Sequence, residues 1–535
     1  KVLIIGLDGG TWDVFDDFLL EHHMPNLRRL KNEGYSGILE STDPAITPAA
    51  WTACITGCLP STHGIAGFQQ YNFKENRMEI SSSGDCLVPN IWQELSNQGY
   101  KVASINVPWT YPCPEINGIM VAGYGCPGIE MDLTYPKDFK NRLLERVGDY
   151  EVRADWNWEK GDSLEKFDEN VKRVERSFEQ KYEAAKLVSE EINWDVMMVE
   201  FQDIDMMQHR IWSYLKADLR DRYVPQRDRL FKAFEKLDGI IGRLMDLAET
   251  EELITVVVSD HGFSDRVGDI EPNSLLYQWG YLRLYGRLRR KIAREIRSWK
   301  NKLNWRLFPS KRLPECFDTE RLNVNIDYEH SKAVVMHTSI SGYLYINVKG
   351  RQPSGFIEPG EEYRNVLEDL RRRFTQVVNP YTGRPLFARV ATPEELYGVS
   401  GLDPERFGDL ILVPSPGHNM SLRAHKRQYV KEARDGSSYH HPEGIFSISG
   451  ANINPANDRL SGIVNIAPTV YAAVGAKIPA YMDGEVLIDV FSRQPELHYQ
   501  QQQERIRIKS TKGQRLSRDE QAAIAEKLSQ LGYLE

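Results

Sequence analysis

No run of 18 apolar residues occurs in the sequence, which excludes a membrane-spanning helix of ordinary length. Cysteine is scarce: six residues in 535 cannot staple a chain of this size. Cys54 and Cys58 are four apart and Cys113 and Cys126 flank a turn, but neither pair has partners at zinc-knuckle spacing. Free thiols in a reducing compartment follow, and with them an expected cytoplasmic location. The chain opens on Lys1-Val2-Leu3-Ile4-Ile5 without an initiator Met, so a signal peptide trimmed upstream stays open. There is no basic excess either. With 76 acidic against 67 basic residues and a net charge of −9, indiscriminate nucleic-acid binding is not the main task. Internal repeats are missing as well.

What is present is ordinary globular composition, 41% hydrophobic and 27% charged. The length suits one large α/β domain with a substantial insertion, or two to three domains. Val2 to Leu7 is a short apolar run that delivers Asp8-Gly9-Gly10, and similar runs recur at 102–107, 196–201 and 253–259. Helical patterns lie between them, at 89–98 and 163–192. This alternation predicts an α/β fold, a mostly parallel central sheet with helices on both faces, whose active site forms at the carboxyl ends of the strands. Residues 1–262 read as the first part of the catalytic core. Residues 263–439, with short strands, many turns and a basic arm, read as an inserted cap region. It includes a strand at 342–347 and a helix at 361–377. Core-like strands return within 440–495, near 444–448 and 486–488, and 496–535 forms a C-terminal helical tail with an amphipathic helix at 517–531.

Several short pieces carry chemistry. Pro48 suits the first position of a helix, which makes Thr47 its N-cap and aims the backbone N–H groups of Ala49 and Ala50 at whatever sits there, a phosphate by preference. Taken alone, Thr47-Pro48 is a plain helix start. Asp260-His261 follows a buried strand, where Gly262 lets the chain turn. Asp205 and His209, four apart, share one helix face, with Asp203 a rival carboxylate. His440 and His441 precede another strand, and spacing does not choose between them. Together, three aspartates and three histidines mostly at strand ends match two borderline divalent metal ions, zinc first, with manganese, iron or magnesium as alternatives. Two such ions can clamp the attacking and leaving oxygens of an in-line displacement.

The order Asp8, Thr47, Asp205-x-x-x-His209, Asp260-His261, His440 resembles the alkaline phosphatase superfamily, and most closely its type I phosphodiesterase/nucleotide pyrophosphatase branch. The stretch from Thr47 through Trp51-Thr52 to Thr56-Gly57, followed by Pro60-Ser61-Thr62-His63-Gly64-Ile65, is similar to that branch's nucleophile region. His440-His441-Pro442-Glu443-Gly444 is similar to a segment of its predicted phosphohydrolase/phosphomutase members. The resemblance implies an alkaline phosphatase-like fold. It implies one metal ion on Asp8, Asp260 and His261, reached by Thr47, and another on Asp205, His209 and His440. Thr47 would then attack phosphorus and form a phosphothreonine. Eukaryotic-type members of the branch carry an Asn shortly after the His-Gly-Ile turn to hold a phosphate oxygen; here Phe68 stands in that place, and Asn72 or another group is the candidate substitute. A sulfatase would need a Cys-x-Pro-x-Arg pattern, which Thr47 to Trp51 lacks.

The expected function is therefore hydrolysis of phosphodiester or pyrophosphate bonds in a small phosphorylated substrate. The alternatives are a phosphomonoesterase or phosphomutase on the same two-metal site, and a non-catalytic binding protein. His63 reads as a turn residue and Trp51 as helix packing. Residues 283–312 hold twelve Lys or Arg against the single acid Glu295, interleaved with Trp299 and Trp305. Such a stretch suits peripheral contact with an anionic membrane, gathering of anionic substrate, or a solvated cap helix.

Overall fold

Every residue of strand β1 (Val2–Leu7) is buried, as a strand covered on both faces must be. Alternate side chains separate: Val2 and Ile4 join Trp51, Met198, Val256 and Val258 in one cluster, while Leu3, Ile5 and Leu7 are buried apart from it. The computed structural model describes residues 1–216, 223–285, 326–338, 340–425, 427–433, 436–500 and 516–530. These divide into two units, one of residues 1–65, 82–265 and 435–515, the other of residues 66–81, 266–434 and 516–535.

The first unit is built on a nine-stranded sheet. In chain order its strands are β1, β2 (Tyr35–Glu40), β3 (Val102–Ile105), β4 (Gly118–Val121), β5 (Thr134–Tyr135), β6 (Val196–Phe201), β7 (Ile254–Val258), β8 (Glu443–Gly450) and β9 (Ala456–Gly462). Their spatial order is β9-β2-β8-β7-β1-β6-β3-β4-β5. The central five, β7 to β4, are parallel; β8 and β5 run antiparallel to their inner neighbours. The mostly parallel sheet with helices around it is the architecture the strand–helix alternation predicts. Register decides where the site forms. Leu7 pairs with Phe201 and Gly6 with Val258, so β1, β6 and β7 end level and release Asp8, Asp203 and Asp260 along one edge.

Three helices matter for that edge: α1 (Thr47–Thr56), α2 (Leu164–Glu191) and α3 (Asp203–Leu215). Ser163 caps α2 by accepting from the Lys166 N–H, as the start of the 163–192 pattern suggests. Gly6 permits the close approach of α1 to the sheet, because a Cβ there would lie 2.8 Å from the Trp51 ring and 3.0 Å from Glu200 Cγ.

The second unit has a four-stranded antiparallel sheet in the order Ala333–Thr338, Gly342–Ile346, Leu410–Pro414, Phe387–Ala391. Its cluster includes Leu370 and Phe374 of the helix Glu361–Gln376. The hairpin Gln69–Asn72 with Arg77–Ile80 and the helix Arg518–Gln530 also belong to this unit.

One expectation needs correcting. The apolar stretch near 486–488 is not a strand; a 3-10 turn, Ile488–Val490, follows it, and Val490 is buried there. An apolar run of three fits either form. Of the basic arm 283–312, all but the first three residues lie outside the described residues. No described helix is long and apolar enough to cross a membrane, and the five described cysteines are free.

Candidate active site

Asp8 leaves β1 fully buried. Its Oδ2 accepts from Trp51 Nε1 at 2.7 Å. Gly9 follows at φ 66°, and its N–H donates to Asp260 Oδ1 at 3.0 Å, which ties the ends of β1 and β7 together. Gln208 Nε2 donates to the Gly9 carbonyl at 2.7 Å and so ties α3 to the same turn. His261, stacked on His440 with ring centroids 3.7 Å apart, places Nε2 3.3 Å from Asp260 Oδ2 and 3.8 Å from Asp8 Oδ1.

The second group forms beside it. Asp205 and His209 share a face of α3, one turn apart. His440 comes from a short strand, Ser438–His441, paired antiparallel with Gly262–Asp265, with His440 opposite Phe263. Asp205 Oδ1 lies 3.3 Å from Nε2 of both His209 and His440, and those two nitrogens are 2.8 Å apart. Strand alternation settles the adjacent pair: His440 is buried in the group, while His441 turns to accept from the Glu443 N–H. Asp203, the rival, is spent on structure, accepting from the Ala154 N–H and the Ser177 hydroxyl.

The donor atoms of Asp8, Asp260 and His261 all lie within 4.8 Å of one another, as do those of Asp205, His209 and His440. Asp8 Oδ1, Asp260 Oδ2, His261 Nε2 and Thr47 Oγ are buried and make no hydrogen bond to a described residue. Burial pushes the Asp8 carboxyl well up, and the neighbouring charges of Asp260, Asp205 and Glu200 push it further. Asp260 is raised for the same first reason. Burial also raises Asp205, but His209 and His440 outweigh it and hold that carboxyl well down. Burial keeps His261 and His440 below the ordinary imidazole value, in the neutral form that ligates metal. Buried carboxylates clustered with imidazole nitrogens fit divalent cations in both groups.

Thr47 is fully buried on α1. The helix begins one residue earlier than the Thr-Pro pattern suggests, because Ile46 takes the extended cap conformation and Pro48 falls at the second helical position. The Ala50 N–H therefore already donates to the Ile46 carbonyl at 2.9 Å. Helix geometry leaves the Thr47 and Ala49 N–H groups without intrahelical acceptors. Asn72 lies in the second unit, where its amide donates to Glu79 and its Oδ1 accepts from the Glu75 N–H. His63 is a turn residue, its Nδ1 accepting from the Ile65 N–H at 3.1 Å.

Two contributors escape sequence reasoning. Trp51, read as packing, is indeed buried, yet its indole also orients Asp8. Gln208 supports Gly9 across 199 residues of sequence. Its place between Met207 and the candidate ligand His209 was the one available signal, and it does not name a partner.

A search of curated proteins finds no match. Among solved structures, the fold is similar to phosphonoacetate hydrolase from Sinorhizobium meliloti 1021 in complex with phosphonoformate. That pair has a TM-score of 0.54 and 17% identity, over 89% of this chain and 95% of that one. The human ectonucleotide pyrophosphatase/phosphodiesterase 5 gives a TM-score of 0.50 and 14% identity, over 92% of this chain and 100% of that one. At such identities the likeness shows the fold alone, an alkaline phosphatase-like α/β architecture. The sequence itself matches the family described as type I phosphodiesterase / nucleotide pyrophosphatase over residues 2–438, a span that holds every site residue named above except His440. By that match the chain belongs to the type I phosphodiesterase/nucleotide pyrophosphatase family and is a hydrolase of phosphate ester bonds.

Proposed function

We propose that the protein cleaves phosphodiester or pyrophosphate bonds in a small phosphorylated substrate, with Thr47 as the nucleophile and two divalent ions, zinc by default, as cofactors. One observation carries the reading: α1 is tied to both donor groups around Thr47. Trp51, one turn on, donates to Asp8, and the Ala45 backbone, two residues before, hydrogen-bonds His440.

Asp8, Asp260 and His261 would hold one ion and Asp205, His209 and His440 the other. When bound, the ions supply Lewis acidity that favours an ionised oxygen nucleophile and offsets charge gathering on the phosphoryl oxygens. The Thr47 hydroxyl, which bonds no described residue, would lose its proton to solvent water and its Oγ would bond phosphorus in line as the bond to the leaving oxygen breaks, the leaving group departing and taking up a proton from water as its own basicity requires. The Thr47 and Ala49 N–H groups and the positive end of α1 hold the phosphoryl oxygens. The phosphothreonine so formed is then hydrolysed by water, which regenerates Thr47.

The test compares bis-p-nitrophenyl phosphate with p-nitrophenyl phosphate, with zinc or manganese, for wild type and Thr47→Ala. Faster diester cleavage by wild type and a loss on the order of 10⁴-fold in the variant are expected. Faster monoester cleavage transfers the reading to a phosphomonoesterase or phosphomutase. A fully active variant removes Thr47 as nucleophile.

A further inference from the structure

The donor groups lie over β7, β1 and β6. The next strands of the same parallel set, β3 and β4, end in loops whose chemistry the proposed reaction does not use. After β3 comes Trp109, held at φ 58°, a conformation costly for a bulky residue. Its N–H donates to the Tyr124 carbonyl at 2.8 Å, and the two rings lie 6.0 Å apart. Tyr124 itself follows β4 and is buried; the Arg153 guanidinium lies 5.0 Å from its ring centroid.

Arg153 is anchored to the turn that carries a metal ligand. The N–H of the next residue, Ala154, donates to Asp203 Oδ1 at 2.6 Å, and Asp205 stands two residues further along α3. Electrostatics agree with this placement. Burial pushes the Tyr124 phenol up, Arg153 opposes it, and the carboxylates of Asp205 and Asp8 act on the same phenol. Gln202, immediately before Asp203, is fully buried, and neither atom of its carboxamide bonds a described residue. Leaving such a group unpaired is costly, so this turn has hydrogen-bonding capacity for a ligand.

We infer that Arg153, backed by Tyr124, is a specificity residue that holds an anionic oxygen beyond the charge every phosphodiester carries. Among the substrates of the reading above, Arg153 then favours those with a further negative charge next to the scissile phosphorus, a pyrophosphate first; a monoester dianion belongs to the alternative reading. A guanidinium gains most from such an oxygen because the bond is charge-assisted and can be bidentate. This inference rests on the phosphohydrolase reading above.

The experiment measures kcat/KM on p-nitrophenyl phosphate, ATP and bis-p-nitrophenyl phosphate for metal-loaded wild type, Arg153→Ala, Arg153→Lys and Tyr124→Phe. Calorimetry with inorganic phosphate runs beside it. Arg153→Ala is expected to lower kcat/KM on the monoester or on ATP by about 10- to 100-fold and to weaken phosphate binding by a similar factor. The simple diester should stay within about threefold. Arg153→Lys should recover part of the loss, which a purely structural role would not allow. A selective loss on the monoester puts the extra charge on the scissile phosphate, and one confined to ATP puts it on the neighbouring phosphate. Equal losses on all three substrates, or unchanged kinetics with unchanged phosphate binding, overturn the inference. Wild type that hydrolyses none of them refutes the phosphohydrolase reading instead, while phosphate binding still reports on Arg153.

Discussion

Two buried aspartates, one in each unit, have opposite surroundings. Asp409 of the second unit takes two hydrogen bonds from the Arg351 guanidinium at 2.7 Å each, one from the Tyr363 hydroxyl and one from the Ile346 N–H. Its charge is met inside the fold. Asp260 of the first unit accepts from Gly9 but faces Asp8 and Asp205, with no Lys or Arg bonded to it among the described residues. Paired burial of this kind serves structure. Burial beside like charges stores a demand for a cation from outside, and the demand is informative because an uncompensated buried charge is expensive.

The comparison breaks first at Asp260→Asn. Activity should fall on the order of 10³-fold, because a ligand is lost. Stability should move the other way in the metal-stripped protein. The Asp260 carboxyl is raised in the fold, so folding retains a proton that the unfolded chain releases, and stability falls as pH rises above the ordinary 3.8. The Asn variant lacks that penalty and should melt higher than wild type in chelator at pH 8; a lower melting temperature would show that the acid is structural after all. Asp409→Asn should do the reverse, costing about 3–5 kcal/mol in denaturant unfolding with kcat unchanged. Trp51→Phe, which removes only the indole donor to Asp8, should weaken metal affinity or activity by about 10- to 100-fold, read by metal titration, with little change in melting. The smallest effect belongs to Asp369. The Tyr281 hydroxyl, then Arg373 and Arg372, bring this partly exposed carboxyl down to about 2. Its contribution is present above 3.8 and is lost as pH falls through about 2. Because water screens it, Asp369→Asn should cost less than about 1 kcal/mol at pH 7, and the gap from wild type should close over that acid range.

Asp8, Asp205 and Asp260 were legible because each follows an apolar run that can only be a buried strand, and parallel strands deliver their residues to one edge. The choice of His440 over His441 was not, since it depends on pairing with a strand more than 170 residues earlier. The same holds for Trp51: its apolar ring predicts burial, while its bond to Asp8 needs the sheet in place. The helix start slipped by one residue because Pro fits either of the first two positions, and that slip removes Ala50 from the free donors. The metal groups follow from residue types, but the identity of the ion does not, since these ligands accept several.

The ladder that carries His440 has a further consequence. Asp265 pairs with Ser438, so the chain leaves the first unit and re-enters it at neighbouring positions, roughly 5 Å apart as in any antiparallel pair. Residues 266–434 thus leave and return through a closed clasp, while residues 66–81 of the same second unit leave and return separately. The place of His440 beside Phe263 depends on the alignment of that clasp. A one-residue slip inside the clasp would turn His440 away from the donor group, because adjacent strand residues face opposite sides.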